Sequence, residues 1–196
     1  MASFDTTRVC VNTKKPKYGQ AVVIYRVPAP LVNESFYFNQ EAIQVNVHYK
    51  HHSTTIYKES DIASIHLTNK RLVLVSQPTS VAPTDINHFD TCEMQLSDFQ
   101  SLKSSDTKMH KRRIRFDIQT IRNETIRLDI KFKNKKDASR RESLKEYIKM
   151  ATSAITASHL RNYPHEQISQ QPQQDTLPSY FEATHNNTFA APPAYS

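Results

Sequence analysis

Apolar and polar residues alternate with a period of two through most of the chain between Tyr18 and about Lys133. Ile43, Val45, Val47 and Tyr49 alternate with Gln44, Asn46 and His48. Ala63, Ile65 and Leu67 alternate with Ser64, His66 and Thr68, and after Asn69-Lys70 comes the run Leu72-Val73-Leu74-Val75. Cys92, Met94 and Leu96 repeat the pattern, as do Ile114, Phe116 and Ile118, and then Ile126, Leu128, Ile130 and Phe132. Successive side chains of a strand point to opposite faces, so each run predicts a strand with one face buried and one wet. Hairpin turns are expected at Asn69-Lys70 and at Arg122-Asn123-Glu124.

The period changes once. Ser139-Arg140-Arg141-Glu142 has the form of a capping box, in which the serine bonds a first-turn amide and the glutamate reaches back. After it Leu144, Tyr147, Ile148, Ala151, Ile155 and Ser158 fall on one helical face. The pattern therefore predicts a mainly β fold of about six or seven antiparallel strands, bent into an open barrel and plugged by one C-terminal helix. Beyond His159 large aliphatic residues almost vanish, while Gln167, Gln170, Gln171, Gln173 and Gln174 cluster with Pro164 and Pro172. Such a stretch buries too little apolar surface to offset its ordering entropy. The expected organisation is a flexible N-terminal arm over 1–17, a folded domain over 18–158 and a disordered tail over 159–196.

Composition narrows the chemistry. The chain holds one glycine, Gly19, which excludes the Gly-rich phosphate cradles of P-loop and dinucleotide-binding proteins. Cys10 and Cys92 make neither a disulfide framework nor a zinc spacing. His48, His51 and His52 lack a nearby carboxylate or cysteine, and His48 falls on the polar phase of its strand, so no metal is expected. Serines have no flanking glycines of the nucleophile-elbow kind, and Cys92 lies on a buried phase. No enzyme constellation and no cofactor site emerges. Without a run long and apolar enough for a signal peptide or a membrane span, the expectation is a protein of a reducing, intracellular compartment.

The net charge of +7 is uneven, since after His159 Arg161 faces Glu166, Asp175 and Glu182. The basic excess thus belongs to the folded part. Arg113, Arg115, Arg127 and Lys131 sit on the outward phase of their strands and form a candidate surface for anionic lipid headgroups, interrupted by Asp117 and Asp129. Aromatic residues do not interleave with these bases, which argues against nucleic acid.

The tail carries the sharpest motif. Pro192-Pro193-Ala194-Tyr195 is a PPxY sequence, and Leu177-Pro178-Ser179-Tyr180 is a looser copy. Proline rings fix φ and favour polyproline II, so the segment reaches an aromatic groove already extended, as WW domains require. Tyr195 and Tyr180 each add an amphipathic anchor after the prolines. The linker between the copies reaches roughly 20 Å as a flexible chain, enough to engage tandem WW domains.

Three places together resemble the WW-domain-binding protein family. They are Glu34-Ser35-Phe36-Tyr37-Phe38 with Ala42-Ile43-Gln44-Val45, the stretch from Ala63 to Ser76 with its Leu67-Thr68 turn and Arg71-hydrophobic strand, and the PPxY motif itself. The resemblance implies a GRAM domain with a pleckstrin-homology-like barrel and an adaptor role. It also implies a WW-domain partner of the HECT ubiquitin-ligase class, a cytoplasmic or nuclear setting, and work in transcription co-regulation or stress response. The tail departs from the family pattern: it is short and glycine-free, with one full motif. The alternative reading is a phosphoinositide- or membrane-binding module, peripheral to a membrane, whose tail motifs are incidental.

Overall fold

Ten strands and one helix follow one another in the computed structural model, which describes residues 2–14, 23–78, 86–106, 112–134, 137 and 139–162. The strands are β1 (Ala2–Phe4), β2 (Val9–Lys14), β3 (Val23–Pro28), β4 (Phe36–His51), β5 (Thr54–Thr68), β6 (Arg71–Ser76) and β7 (Thr91–Gln95). A 3₁₀ turn (Leu96–Asp98) leads to β8 (Phe99–Asp106), β9 (Arg113–Thr120) and β10 (Thr125–Phe132), and α1 (Arg140–Asn162) ends the series. Eight strands form one antiparallel sheet in the order β1-β7-β6-β5-β4-β10-β9-β8, and β2 with β3 makes a separate ribbon.

The alternation read from the sequence sets the inner face. Ile114, Phe116 and Ile118 of β9 and Ile126, Leu128, Ile130 and Phe132 of β10 are all buried, while Arg113, Arg115 and Arg127 face outward. Both expected hairpins form, with Leu67 opposite Leu72 and Ile118 opposite Ile126. β4 is the seam of the sheet. It pairs with β5 on one edge from Phe36 to His51, and with β10 on the other from Ile43 onward. The pairing shifts register between Gln40 and Ile43, and Ala42 sits at φ 56°. A bulge of this kind bends its strand and sharpens the local twist. The left-handed conformation costs an L-residue roughly 1–2 kcal/mol, so the bend is held by the pairing on either side of it. Lys133 N–H donates to Ala42 O at 3.1 Å, which ties β10 to the corner. At the other end of the seam the Tyr49 hydroxyl donates to buried Glu124 at 3.0 Å. Burial, then that carboxylate, pushes the Tyr49 pKa up to about 12.

α1 closes the core as its periodicity requires. Leu144, Ile148 and Ala151 are buried with the inner face of the sheet, and Ile155 packs against them. Tyr147 leans outward at 38 % exposure, with its ring 6.2 Å from that of Phe38. The expected reach of Glu142 back to Ser139 is replaced by another arrangement: its carboxylate accepts from Arg141 at 2.6 Å and Lys145 at 3.2 Å. Two neighbouring cations outcompete a single backbone amide for that carboxylate.

Two expectations change. Residues 1–17 are not wholly an arm, because β1 pairs with β7 and Val9–Lys14 pairs with β3. The apolar run Val9-Cys10-Val11 was too short to stand out without its partner. One compact unit runs over residues 1–159. Nor are the polar positions of β5 wet: Ser64, His66 and Thr68 are all buried, as are Val73 and Val75 of β6. The β2–β3 ribbon explains this, since β3 lies against β5 and β6. Arg26 of β3 gives its N–H to the Gln77 side chain at 2.8 Å and takes an N–H back at 3.0 Å, and its guanidinium pairs with Asp90. The tail expected over 159–196 falls, beyond Asn162, outside the described residues.

Candidate functional site

The bend at Ala42 leaves the first part of β4 with one strand partner, β5, among the described residues. Over Phe36–Glu41 one edge is paired with β5 and the other is not taken by β10. Two segments flank that free edge. On one side are Tyr25, Val27, Pro28 and Pro30 from β3 and the chain after it; on the other are Asn134, Asp137 and Arg140, leading into α1. Between them lies a cleft of about 670 Å³, floored by β4 residues and by His66. Its size is that of an ordinary ligand pocket, and its two walls differ in character, one apolar and one polar.

Side chains cap the free edge. Arg140 donates to Asn39 O at 2.6 Å, and its guanidinium lies 4.9 Å from the Phe38 ring centre. Gln40 donates to Glu41 O at 2.7 Å and to Asp137 at 3.1 Å, and Asn134 donates to the same carboxylate oxygen at 3.1 Å. Glu41 is exposed and its carboxylate has no hydrogen-bond or ionic partner among the described residues.

His66 is held on both ring nitrogens, Nδ1 at 2.9 Å from Asn39 Oδ1 and Nε2 at 2.8 Å from Ser64 Oγ. These distances resemble a serine–histidine–amide relay. Ser64, however, is 1 % exposed, accepts from Gln77 at 2.8 Å and does not line the cleft. A nucleophile must reach its substrate, so the relay is a structural one. Burial lowers the His66 pKa to about 4, below its ordinary 6.5. A histidine with a depressed folded-state pKa contributes stability that is fully present above pH 6.5. That contribution is lost as the pH falls toward 4, because the unfolded chain binds the proton more readily. Denaturant midpoints are therefore expected to fall between pH 6.5 and 4 in the wild type, and to fall less over this window in His66→Gln. Equal slopes in the two proteins would show that His66 is not the linked group.

The basic face predicted from the sequence lies elsewhere, on the outside of β9 and β10. Arg115 pairs with Asp129 at 2.7 Å, and Arg127 with Asp117 at 2.9 Å, each directly across the ladder. The hydrogen bond that Arg115 donates to Asp129, then the charge of that carboxylate, raises the pKa of Arg115 further. Lys131 donates to Gln44 at 3.4 Å, and Arg113 is exposed. Arg113, Arg115 and Lys131 border a smaller hollow of about 300 Å³ that also contains Asp129. Much of the positive charge is thus matched by aspartates on the same strands. Pro192, Pro193 and Tyr195, with Leu177, Pro178 and Tyr180, lie outside the described residues.

Among the described residues no cluster of histidine, cysteine and carboxylate side chains is arranged to hold a metal ion. The His48 ring lies 4.8 Å from that of Tyr57 and the His51 ring 4.2 Å from that of His52, both pairs tilted. No helix among these residues is long and apolar enough to cross a membrane. Cys92 is wholly buried and its thiol pKa is pushed well up by desolvation, whereas Cys10 is exposed.

The cleft was not foreseen from the sequence. Its one sequence signal is His66, a titratable residue between Ile65 and Leu67 beside the continuous apolar run of β6, a run that marks a strand covered on both faces.

The topology defines the class: a mainly β fold built on one bent, eight-stranded antiparallel sheet, in which two meanders share β4 and a C-terminal helix closes the core. No family model and no curated protein matches this chain. Among solved structures it is similar to a chain from the crystal structure of the complex of PDZ-RhoGEF DH/PH domains with GTP-γ-S activated RhoA. That likeness has a TM-score of 0.38 at 9 % identity and covers 64 % of this chain. The match spans 31 % of the other chain, about a third of its length.

Proposed function

We propose that this chain is a non-enzymatic adaptor whose barrel, of the GRAM type, binds a protein target while its tail recruits a WW-domain protein, of the HECT ubiquitin-ligase class. The observation that carries the reading is the PPxY motif at 192–195, in a proline- and glutamine-rich segment that follows a folded domain. Two features support a protein target over a lipid one. The cleft has an apolar wall and a free strand edge, while the basic face has aspartates paired to its arginines. A membrane surface attracts unpaired cations, and each neutralised one removes about 1 kcal/mol of that attraction.

The test is a titration of the full chain against single and tandem WW domains. Tyr195→Ala is expected to abolish nearly all binding, because a few anchors hold most of the energy and only the full motif has both prolines. Tyr180→Ala is expected to weaken binding mainly to tandem domains, where the second contact acts through effective concentration. Undiminished binding by both variants would end the adaptor reading.

A further inference from the structure

The free edge of β4 is an incomplete sheet. Among the described residues Phe36–Glu41 pairs with β5 on one side only, and the other side lies along a cleft of ligand-sized volume. Open edges are templates for another strand, and folded proteins usually blunt them. Here the blunting is local and made by side chains: Arg140 on the Asn39 carbonyl and Gln40 on the Glu41 carbonyl. Both are rotatable groups, and an incoming backbone amide can replace either with an equivalent hydrogen bond.

Charge and shape narrow what fits. Tyr25, Val27 and Phe36 present apolar surface, with Phe36 38 % exposed and edge-on to His66 at 6.4 Å between ring centres. Among the described lining residues the carboxylates of Glu41 and Asp137 stand against one cation, Arg140, which is already tied to Asn39 O and lies over the Phe38 ring. His66 forms the floor as a neutral ring, so it adds no positive charge. A cationic side chain next to an exposed carboxylate and aromatic faces gains both an ion pair and a cation–π contact.

From this geometry we infer that the cleft binds an extended segment of a partner protein as an added strand on β4, with a lysine or arginine of that segment reaching Glu41 between flanking apolar residues. This deepens the reading of the barrel as the target-binding half, and it is independent of what the tail binds. Main-chain pairing along 36–41 supplies affinity, while Glu41 and the Tyr25–Val27 wall supply selectivity.

The experiment is a selection from a display library of short linear random-sequence peptides on the full chain carrying Tyr195→Ala, which removes the principal tail anchor. Selected peptides are expected to carry a basic residue between apolar ones and to slow amide hydrogen exchange across residues 36–41. Their affinity should fall at least about tenfold in Glu41→Lys and less in Glu41→Gln. Glu41 is exposed, so neither substitution should shift the thermal midpoint, and a midpoint check on each confirms that the fold is intact. The inference is overturned if no peptide is selected, if binding ignores Glu41→Lys, if the peptides are acidic, or if protection appears on another segment. Such a failure leaves the WW-domain titration unaffected, and a failed titration leaves this test standing.

Discussion

Replacing Arg71 with alanine is expected to destabilise the fold by about 3–5 kcal/mol, the cost of leaving buried charge without its partner. Arg71 is 3 % exposed. Its guanidinium grips Glu34 with two parallel bonds of 2.7 and 2.9 Å, Glu93 at 2.6 Å and Ala29 O at 2.8 Å. The Glu34 side chain has no solvent exposure and that of Glu93 has 14 %. Burial alone would raise the pKa of Glu34, but hydrogen bonds from Arg71, the Leu31 amide and Thr68 outweigh it and hold the carboxyl below its usual range. The contribution of Glu34 is therefore present above the ordinary carboxylate pKa and is lost as pH drops through the lowered one. The bond to Ala29 O also anchors the chain leaving β3, so the loss should loosen the ribbon that covers β5 and β6. Chemical denaturation at neutral pH measures the effect, as a lower midpoint at unchanged slope. A loss under about 1 kcal/mol would place the cluster among ordinary surface ion pairs.

The second large effect is expected on the helix. Leu144→Ala and Ile148→Ala should each cost about 2–5 kcal/mol, since both side chains are fully enclosed and a cavity remains where each stood. Met150→Ala is the control: at 63 % exposure on the opposite side of α1 it should stay within about 0.5 kcal/mol. Thermal melts of the three variants decide the matter. Equal midpoints for all of them would mean that α1 does not belong to the core.

Legibility in the sequence followed the range of the interactions. Period-two alternation sufficed for β9 and β10, because each buries one face against a core that any neighbour would supply. The helix was legible for the same reason at a period of 3.6. The wet face assigned to β5 was wrong because its cover, the β2–β3 ribbon, comes from residues far away in sequence, and Gln77 grips Arg26 across that distance. The corner at Ala42 gave no warning either. Left-handed positions usually announce themselves by glycine, but here Asp5, Asn33, Ala42, His52 and Asn123 occupy them. The cleft inherits both difficulties, since it forms at that corner and joins Asn39 to Arg140 and Gln40 to Asp137. The tail motif is the opposite case, for a polyproline II ligand is read from linear sequence alone.

The seam strand also constrains how the chain reaches its fold. The hairpins β4–β5, β5–β6, β8–β9 and β9–β10 join neighbours in sequence and can form as local units. β10 must instead find β4 across most of the domain, setting Phe132 opposite Ile43 and Thr125 opposite Lys50. Loop-closure entropy is lost before those contacts return anything, which slows folding. During synthesis β4 emerges well before β10 exists, so its flank from Ile43 to Lys50 waits as an unpaired strand. In that interval Gln44, Asn46, His48 and Lys50, alternating with Ile43, Val45, Val47 and Tyr49, act as gatekeepers against pairing with another nascent chain.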